Sequence, residues 1–229
     1  MAAVWLPLSV YSQSEQLKVD AKAYYTDSLG TVIETDNISD GQAPLTVTFR
    51  ANPPDFGDWT PSYEWHFRKV GTDGELFVRY EEDTEYTFTE SGTYKVVLKP
   101  FLRNGDQEQE LDSVTISVTI AESKLVFPNA FSPNNDGTND TYRPKEYKSI
   151  VSFRAIIINR WGQKLYEWSD PAAPGWDGKF NGSDVKQGVY FVLVEARGAD
   201  GKEYKIRKDV NLLRGHSDKE GSSTTEGGQ

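Results

Sequence analysis

Oxygen-bearing side chains are concentrated in one short stretch of the sequence, the run Asn-Asn-Asp-Gly-Thr-Asn-Asp that follows Pro133. Carboxylate and amide oxygens recur there on both sides of Gly137, and a glycine allows the chain to turn sharply. Hard cations such as Ca²⁺ are bound by clusters of such oxygens. One interpretation is therefore a calcium site, with the ligands Asn134, Asp136, Asn139 and Asp140.

The same run also fits a loop of Asx turns, in which Asn and Asp side chains accept hydrogen bonds from nearby backbone N–H groups. Such a loop needs no metal. The spacing differs from that of an EF-hand loop, and the bidentate Glu that closes an EF-hand loop is missing. We therefore favour the Asx-turn interpretation, and we predict no other cofactor.

Side chains for catalysis are scarce in this sequence. There is no cysteine, and the two histidines, His66 and His216, lie far apart in the chain, which argues against a thiolate site or a His-based triad. The acidic run 81–83 falls between two predicted strands and is interpreted as a solvated turn, because consecutive side chains on a strand would point to opposite faces and could not converge on one bond. The chain also lacks a nucleophile elbow, a phosphate-binding loop and a dinucleotide fingerprint. We predict that the protein is not an enzyme.

The composition is that of a folded, acidic, β-rich chain. Its 229 residues are 37% hydrophobic and 13% aromatic, which is too much apolar surface for a disordered chain and suits sheets best. The net charge of −10 would repel a nucleic-acid backbone, so we predict no nucleic-acid partner. No apolar run is long enough to span a bilayer, so the chain is predicted not to be membrane-spanning.

The first module, residues 15–123, alternates apolar and polar residues between turn clusters. Strands are predicted at 17–25, 45–51, 62–69, 75–80, 84–89, 93–102 and 111–120. This series of short strands is typical of an immunoglobulin-like β-sandwich, with Tyr63, Trp65 and Phe67 facing its core. The strands Tyr-Glu-Trp-His-Phe and Gly-Thr-Tyr-Lys-Val resemble those of PKD domains, so we interpret the first module as PKD-like.

The second module, residues 124–214, predicts strands at 124–127, 151–159, 163–168, 188–196 and 202–213, again as a β-sandwich. It carries 15 basic and 11 acidic residues, a net charge of +4, whereas residues 1–123 carry a net charge of −12. The two modules should therefore face different environments or partners, or each other. Residues 1–14 could be the remnant of a signal peptide or a packed first segment. Residues 215–229 contain no aliphatic or aromatic side chain and are predicted to be a disordered tail.

Four motifs follow one another in the second module. They are Pro128-Asn-Ala-Phe-Ser-Pro-Asn-Asn-Asp-Gly, Asn159-Arg-Trp-Gly, Gly175-Trp-Asp-Gly and Gln187-Gly-Val-Tyr-Phe. In this order, over about residues 125–214, they resemble the gliding-motility-associated C-terminal domain, which is the type B sorting domain of the type IX secretion system. The resemblance implies a β-sandwich that hands a periplasmic chain to an outer-membrane translocon in Bacteroidota-type bacteria.

The function that this resemblance implies is export. The chain would cross the periplasm and reach the outer membrane, the cell surface or the medium, with outer-membrane or periplasmic proteins of the type IX system as partners. The PKD-like module would then be a surface-displayed adhesion or interaction module. The alternative is a retained component or signalling factor of the secretion apparatus that binds its receptor through the C-terminal module.

The family motifs assign sorting or receptor binding to a defined set of positions. These are Pro128, Asn129, Phe131, Asp136, Gly137, Asn139, Asp140, Arg160, Trp161, Gly162, Trp176, Asp177, Gly178, Gly188, Tyr190 and Arg214.

Two interpretations fit Arg160 and Trp161. Trp161 could cap the core with Arg160 stacked on an aromatic face, or both could form an exposed patch for a translocon partner. We favour packing for Trp161. The pair Asn181-Gly182 favours a type I′ hairpin turn. The basic residues of the last strand are predicted to be exposed, namely Arg207, Lys208 and Arg214.

Overall fold

The computed structural model describes residues 18–214, and every regular element in that range is a β-strand. In chain order the strands are β1 (Lys22–Thr26), β2 (Val32–Thr35), β3 (Asn37–Gly41), β4 (Leu45–Arg50), β5 (Thr60–Lys69), β6 (Phe77–Arg79), β7 (Asp83–Phe88), β8 (Gly92–Asn104), β9 (Gln107–Glu110), β10 (Val114–Ile120), β11 (Lys124–Val126), β12 (Ala130–Phe131), β13 (Glu146–Lys148), β14 (Ile150–Ile158), β15 (Lys164–Trp168), β16 (Lys179–Phe180), β17 (Ser183–Asp184), β18 (Gly188–Gly198) and β19 (Glu203–Leu212). The prediction of two immunoglobulin-like β-sandwiches is confirmed for this range. The predictions for residues 1–14 and 215–229 lie outside the described residues.

The first domain is a sandwich of two sheets. One sheet has the strand order β2-β1-β4-β7, and the other has the order β3-β10-β8-β5-β6, with β9 paired to β8. In the antiparallel pair of β5 and β8, Trp65 lies opposite Leu98 and Phe67 lies opposite Val96. Because side chains alternate along a strand, this register directs the aromatic residues of β5 to one face.

The core of the first domain forms around that face. Tyr63, Trp65 and Phe67 are buried, as predicted from their alternation. The ring of Phe49 on β4 lies 5.9 Å from that of Trp65 and 5.5 Å from that of Phe67. The indole N–H of Trp65 donates to the backbone carbonyl of Glu81 at 3.1 Å, so the polar atom of this buried ring has a partner.

The second domain is built on a five-stranded sheet with the order β12-β19-β18-β14-β15. Strand β18 is central and pairs antiparallel with both β14 and β19. Its inward positions, Val192 and Val194, join one hydrophobic cluster with Leu125, Phe127 and Phe131 from the segment before β14. Two short sheets, β11-β13 and β16-β17, complete the domain, and Leu125 of β11 belongs to this cluster.

Seven strands were not predicted from the sequence, namely β2, β3, β9, β12, β13, β16 and β17. Each has five residues or fewer, and several carry mainly polar side chains, so no alternation marks them. The first predicted strand, 17–25, is also shorter than expected, because β1 begins at Lys22.

The described residues separate into two compact units. One contains residues 18–39, Thr46–Tyr86 and Thr93–Val118, and the other contains Asp40–Leu45, Thr87–Gly92 and residues 119–214. The boundary at 123/124 stays a prediction.

Candidate functional site

The motifs of the second domain converge on one aromatic cluster. The ring of Phe131 lies 5.8 Å from Tyr142 and 5.3 Å from Trp176, and the ring of Trp176 lies 5.1 Å from Tyr190. Tyr142 and Trp176 are fully buried. Residues from three of the four motifs therefore share a single packing site.

The polar atoms of this cluster all bind backbone carbonyls. The indole N–H of Trp176 donates to Lys179 at 2.8 Å, and the hydroxyl groups of Tyr142 and Tyr190 donate to Pro128 at 3.1 Å and to Lys186 at 2.7 Å. Burial raises the pKa of both tyrosines. The rings are thus held in one orientation, and Trp176 and Tyr190 act in the core.

Two backbone hydrogen bonds, at 2.8 and 3.0 Å, join Tyr142 and Trp176. Gly175 precedes this contact with φ of +83°. A Cβ at Gly175 would lie 2.4 Å from the carbonyl oxygen of Tyr142. Only glycine allows this approach of the two segments.

Arg214 closes the domain from the end of β19. Its guanidinium group donates to the carbonyl oxygens of Gly178 and Val185, at 3.1 and 3.2 Å, and pairs with Asp184 at 3.3 Å. The side chain is only 26% exposed, so the prediction that Arg214 is exposed is wrong. The loop carbonyls near β16 and β17 need donors, and Arg214 supplies them.

Two further basic residues, Arg207 and Lys208, lie on the last strand, and Asp177 and Gly188 belong to the third and fourth motifs. Lys208 is also only half-exposed, contrary to the prediction. Its ammonium group donates to the side-chain oxygen of Asn129 at 2.5 Å. Arg207 is exposed, as predicted. Asp177 accepts a hydrogen bond from the N–H of Lys179 at 3.0 Å. Gly188 begins β18, opposite Leu212.

The oxygen-rich loop, residues 134–140, is a network of Asx turns. One carboxylate oxygen of Asp140 accepts hydrogen bonds from the N–H groups of Asn134 and Asn135 at 3.1 and 2.6 Å, and the other accepts from Gly137 at 2.8 Å. Asp136 accepts from the side-chain amide of Asn134 and from the N–H of Thr138, at 2.8 and 2.7 Å. These hydrogen bonds lower the pKa of Asp136.

This geometry is the one that the Asx-turn interpretation predicts. Asn139 contributes through its carbonyl oxygen, which accepts from the N–H of Ser132 at 2.9 Å. Within residues 18–214, no group of three or more His, Cys, Asp or Glu side chains is arranged to hold a metal ion. Calcium binding by the four proposed ligands stays untested.

Trp161 lies at the tip of the turn between β14 and β15. The side-chain oxygen of Asn159 accepts from the N–H groups of Trp161 and Gln163 at 2.9 and 3.0 Å, and Gly162 completes the turn with φ of +79°. The Trp161 side chain is 83% exposed, so the prediction that it packs in the core is wrong. The Arg160 guanidinium carbon lies 5.7 Å from its ring centroid, which gives an exposed cation–π pair.

A surface groove of about 600 Å³ lies beside this turn. We call it the Trp161 groove. Its walls include Arg160, Trp161, Gln163, Leu165, Phe180, Val185, Lys186, Val189 and Phe191. Sequence reasoning missed Lys186, Val189 and Phe191. The signal for the last two was present, because they alternate with the inward-facing Tyr190 and Val192 and must point outward.

A second charged cluster, in the first domain, was also missed. The two ring nitrogens of His66 lie 2.8 Å from a carboxylate oxygen of Glu75 and 3.0 Å from one of Glu64. Hydrogen bonds from Arg68 and then from His66 lower the pKa of Glu75. Because Glu75 lies in the loop between β5 and β6, this cluster ties the loop to β5.

Comparison with known families assigns the second domain. Residues 125–208 match the family model of the CHU_C type IX secretion signal domain. Residues 125–208 form a type IX secretion signal domain. This confirms the family predicted from the four motifs, and such a signal implies export across the outer membrane, to the cell surface or into the medium.

The other comparisons add little to this assignment. No curated protein matches the chain. Among solved structures, the FN1-FN3 domains of chicken CNTN1 are similar in fold to this chain. The alignment covers 81% of this chain and 77% of the CNTN1 chain, with 12% sequence identity and a TM-score of 0.26. In residues 18–214 there is no helix of the length and apolarity that a membrane crossing requires.

The motif residues of the second domain thus fall into three groups. Phe131, Trp176 and Tyr190 build the core, and the residues of the oxygen-rich loop and Arg214 hold backbone segments together. Arg160 and Trp161 instead point into solvent beside the groove.

Proposed function

We propose that the protein is a non-catalytic, exported chain whose signal domain delivers the first domain to the cell surface, where the first domain acts as an adhesion or interaction module. The observation that carries this proposal is the order of the parts: an immunoglobulin-like sandwich precedes the signal domain at residues 125–208. A passenger domain in front of an export signal is the arrangement expected of a displayed protein.

A preordered loop in the first domain supports the interaction role. Asp27 accepts hydrogen bonds from the N–H groups of Leu29 and Thr31, both at 2.8 Å, and so fixes the turn between β1 and β2. This turn presents Leu29, which is 88% exposed, next to the exposed Val32. A fixed loop with apolar side chains in solvent loses little conformational entropy when a partner covers it.

The proposal can be tested by following the full chain in a type IX-competent bacterium and in a matched strain without the translocon. Protease treatment of intact cells and an antibody against the first domain report surface exposure. We expect the first domain to be accessible only in the competent strain. Equal accessibility in both strains would contradict the proposal. Full-length chain held with membrane proteins and protected from protease would instead favour a retained component of the apparatus.

A further inference from the structure

Three apolar side chains of the Trp161 groove are exposed to solvent. Trp161, Val189 and Phe191 are 83%, 51% and 37% exposed, and all three line the groove. Contiguous apolar side chains in solvent mark surfaces that a partner covers, and aromatic residues dominate the energetics of such contacts.

The charged residues that line the groove are both basic. Arg160 and Lys186 line it, and no Asp or Glu side chain does. Within residues 18–214, neither cation forms an ion pair. Asp184, the acidic residue next to Val185, is already paired with Arg214 at 3.3 Å. The groove therefore has positive charge that a partner could neutralise.

Both walls of the groove are held in place. On one side, Asn159 fixes the turn that carries Trp161, through hydrogen bonds of 2.9 and 3.0 Å. On the other side, Val189 and Phe191 flank Tyr190, whose hydroxyl group is bound to the carbonyl of Lys186. A site that is ordered before binding loses less entropy when it is filled.

We infer that the Trp161 groove docks an acidic protein segment, which inserts an apolar side chain beside Trp161 and places carboxylates on Arg160 and Lys186. This inference rests on the proposed function, because it names the surface of the signal domain that the export apparatus recognises. The segment is defined by its chemistry: an aromatic or aliphatic side chain with acidic residues on both sides.

The first test is a titration of the full chain with the peptide DEGFGED, followed by NMR of backbone amides and indole N–H groups. We expect saturable shifts at Trp161, Lys186 and Val189, and weaker shifts at high salt. The peptides DEGSGED and KKGFGKK are controls for the apolar and acidic parts. No saturable shift, shifts confined to other surfaces, or equal binding of KKGFGKK would overturn the inference.

Two variants test the assignment to these residues. Trp161→Ala and the double change Arg160→Glu with Lys186→Glu should each weaken DEGFGED binding at least about 10-fold, because they remove the aromatic anchor or reverse the charge. Tyr147→Ala and Lys145→Glu change exposed residues of the same domain outside the groove and should bind as the wild type does. Unchanged binding by the groove variants would overturn the inference.

The groove could also be covered by a second copy of this chain, whose residues 1–123 carry a net charge of −12. Sedimentation analysis distinguishes this case. We expect the wild type to sediment as a monomer at the concentrations of the titration. Self-association that Trp161→Ala abolishes would identify the second copy as the occupant and overturn the inference.

An export experiment distinguishes a failure of this inference from a failure of the proposed function. In the type IX-competent strain, Trp161→Ala should accumulate in the periplasm, whereas wild type and Tyr147→Ala reach the surface. A wild type that never reaches the surface would refute the proposed function. A wild type and Trp161→Ala exported equally well would refute the docking inference alone.

Discussion

Replacing Gly175 by alanine should destabilise the signal domain strongly, because two costs add at this position. The residue has φ of +83°, a conformation in which a residue with a Cβ loses about 1–2 kcal/mol of folding free energy to steric strain. Its new Cβ would also lie 2.4 Å from the carbonyl oxygen of Tyr142, so one segment must move. That movement breaks the two backbone hydrogen bonds between Tyr142 and Trp176, each worth about 0.5–1.5 kcal/mol. The expected loss is about 2–5 kcal/mol.

Gly162 offers a matched control. It has nearly the same φ, +79°, but a Cβ there would meet nothing within 4 Å. Gly162→Ala should therefore cost only the conformational strain of about 1–2 kcal/mol. The difference between the two variants isolates the close approach of Gly175 to Tyr142.

Urea unfolding of the full chain gives the free energies, and hydrogen exchange at the amides of Tyr142 and Trp176 gives a local measure. Gly175→Ala should speed exchange at both amides, whereas Gly162→Ala should leave them protected. Equal free-energy losses for the two variants, with the amides still protected in Gly175→Ala, would refute the packing argument.

Three further predictions concern individual side chains. Trp176→Ala should cost about 3–5 kcal/mol in urea unfolding because it empties a buried site, whereas Trp161→Ala should change stability by less than about 0.5 kcal/mol; similar losses would contradict the assigned burial. Asp140→Ala should cost about 1–3 kcal/mol because three backbone N–H groups lose their acceptor, and the melting temperature of the wild type should be equal in EDTA and in calcium; a drop in EDTA would instead favour the calcium interpretation. Hydrogen bonds from Lys164 and then from Arg154 lower the pKa of Glu167, so its contribution to stability is complete above the ordinary glutamate pKa and is lost as the pH falls through the lowered value. A carboxyl ¹³C titration checks that pKa, melting curves of Glu167→Gln against pH should lack this part of the acid dependence, and an ordinary pKa would contradict the pairing.

Local patterns predicted the features that depend on neighbours in sequence. The alternation of Tyr63, Trp65 and Phe67 was enough to place all three in the core. The pair Asn181-Gly182 was enough to predict a hairpin turn, although not the two strands beside it, and both residues have positive φ, 50° and 79°, between β16 and β17. Strand alternation and turn conformation are set within a few residues, so one sequence window contains the information.

The exposure of Trp161 could not be predicted in this way, and neither could the partial burial of Arg214. A tryptophan in a turn is buried only if another element covers the turn, and here none of the described residues does so. Arg214 is held by carbonyls of Gly178 and Val185, which lie 36 and 29 residues earlier in the chain. The local sequence around either residue does not indicate which distant segments lie beside it.

From the residue order alone we predicted the all-β class and the family of the second domain, and we favoured Asx turns over a calcium site for the loop before Asp140. Those properties follow from the order of residue types over short stretches. The tertiary structure alone decided that Trp176 and Tyr190 share a core while Trp161 stands in solvent beside Val189 and Phe191. The reason is that burial depends on which segments the sheet register brings side by side, and segments far apart in sequence meet only in the folded chain.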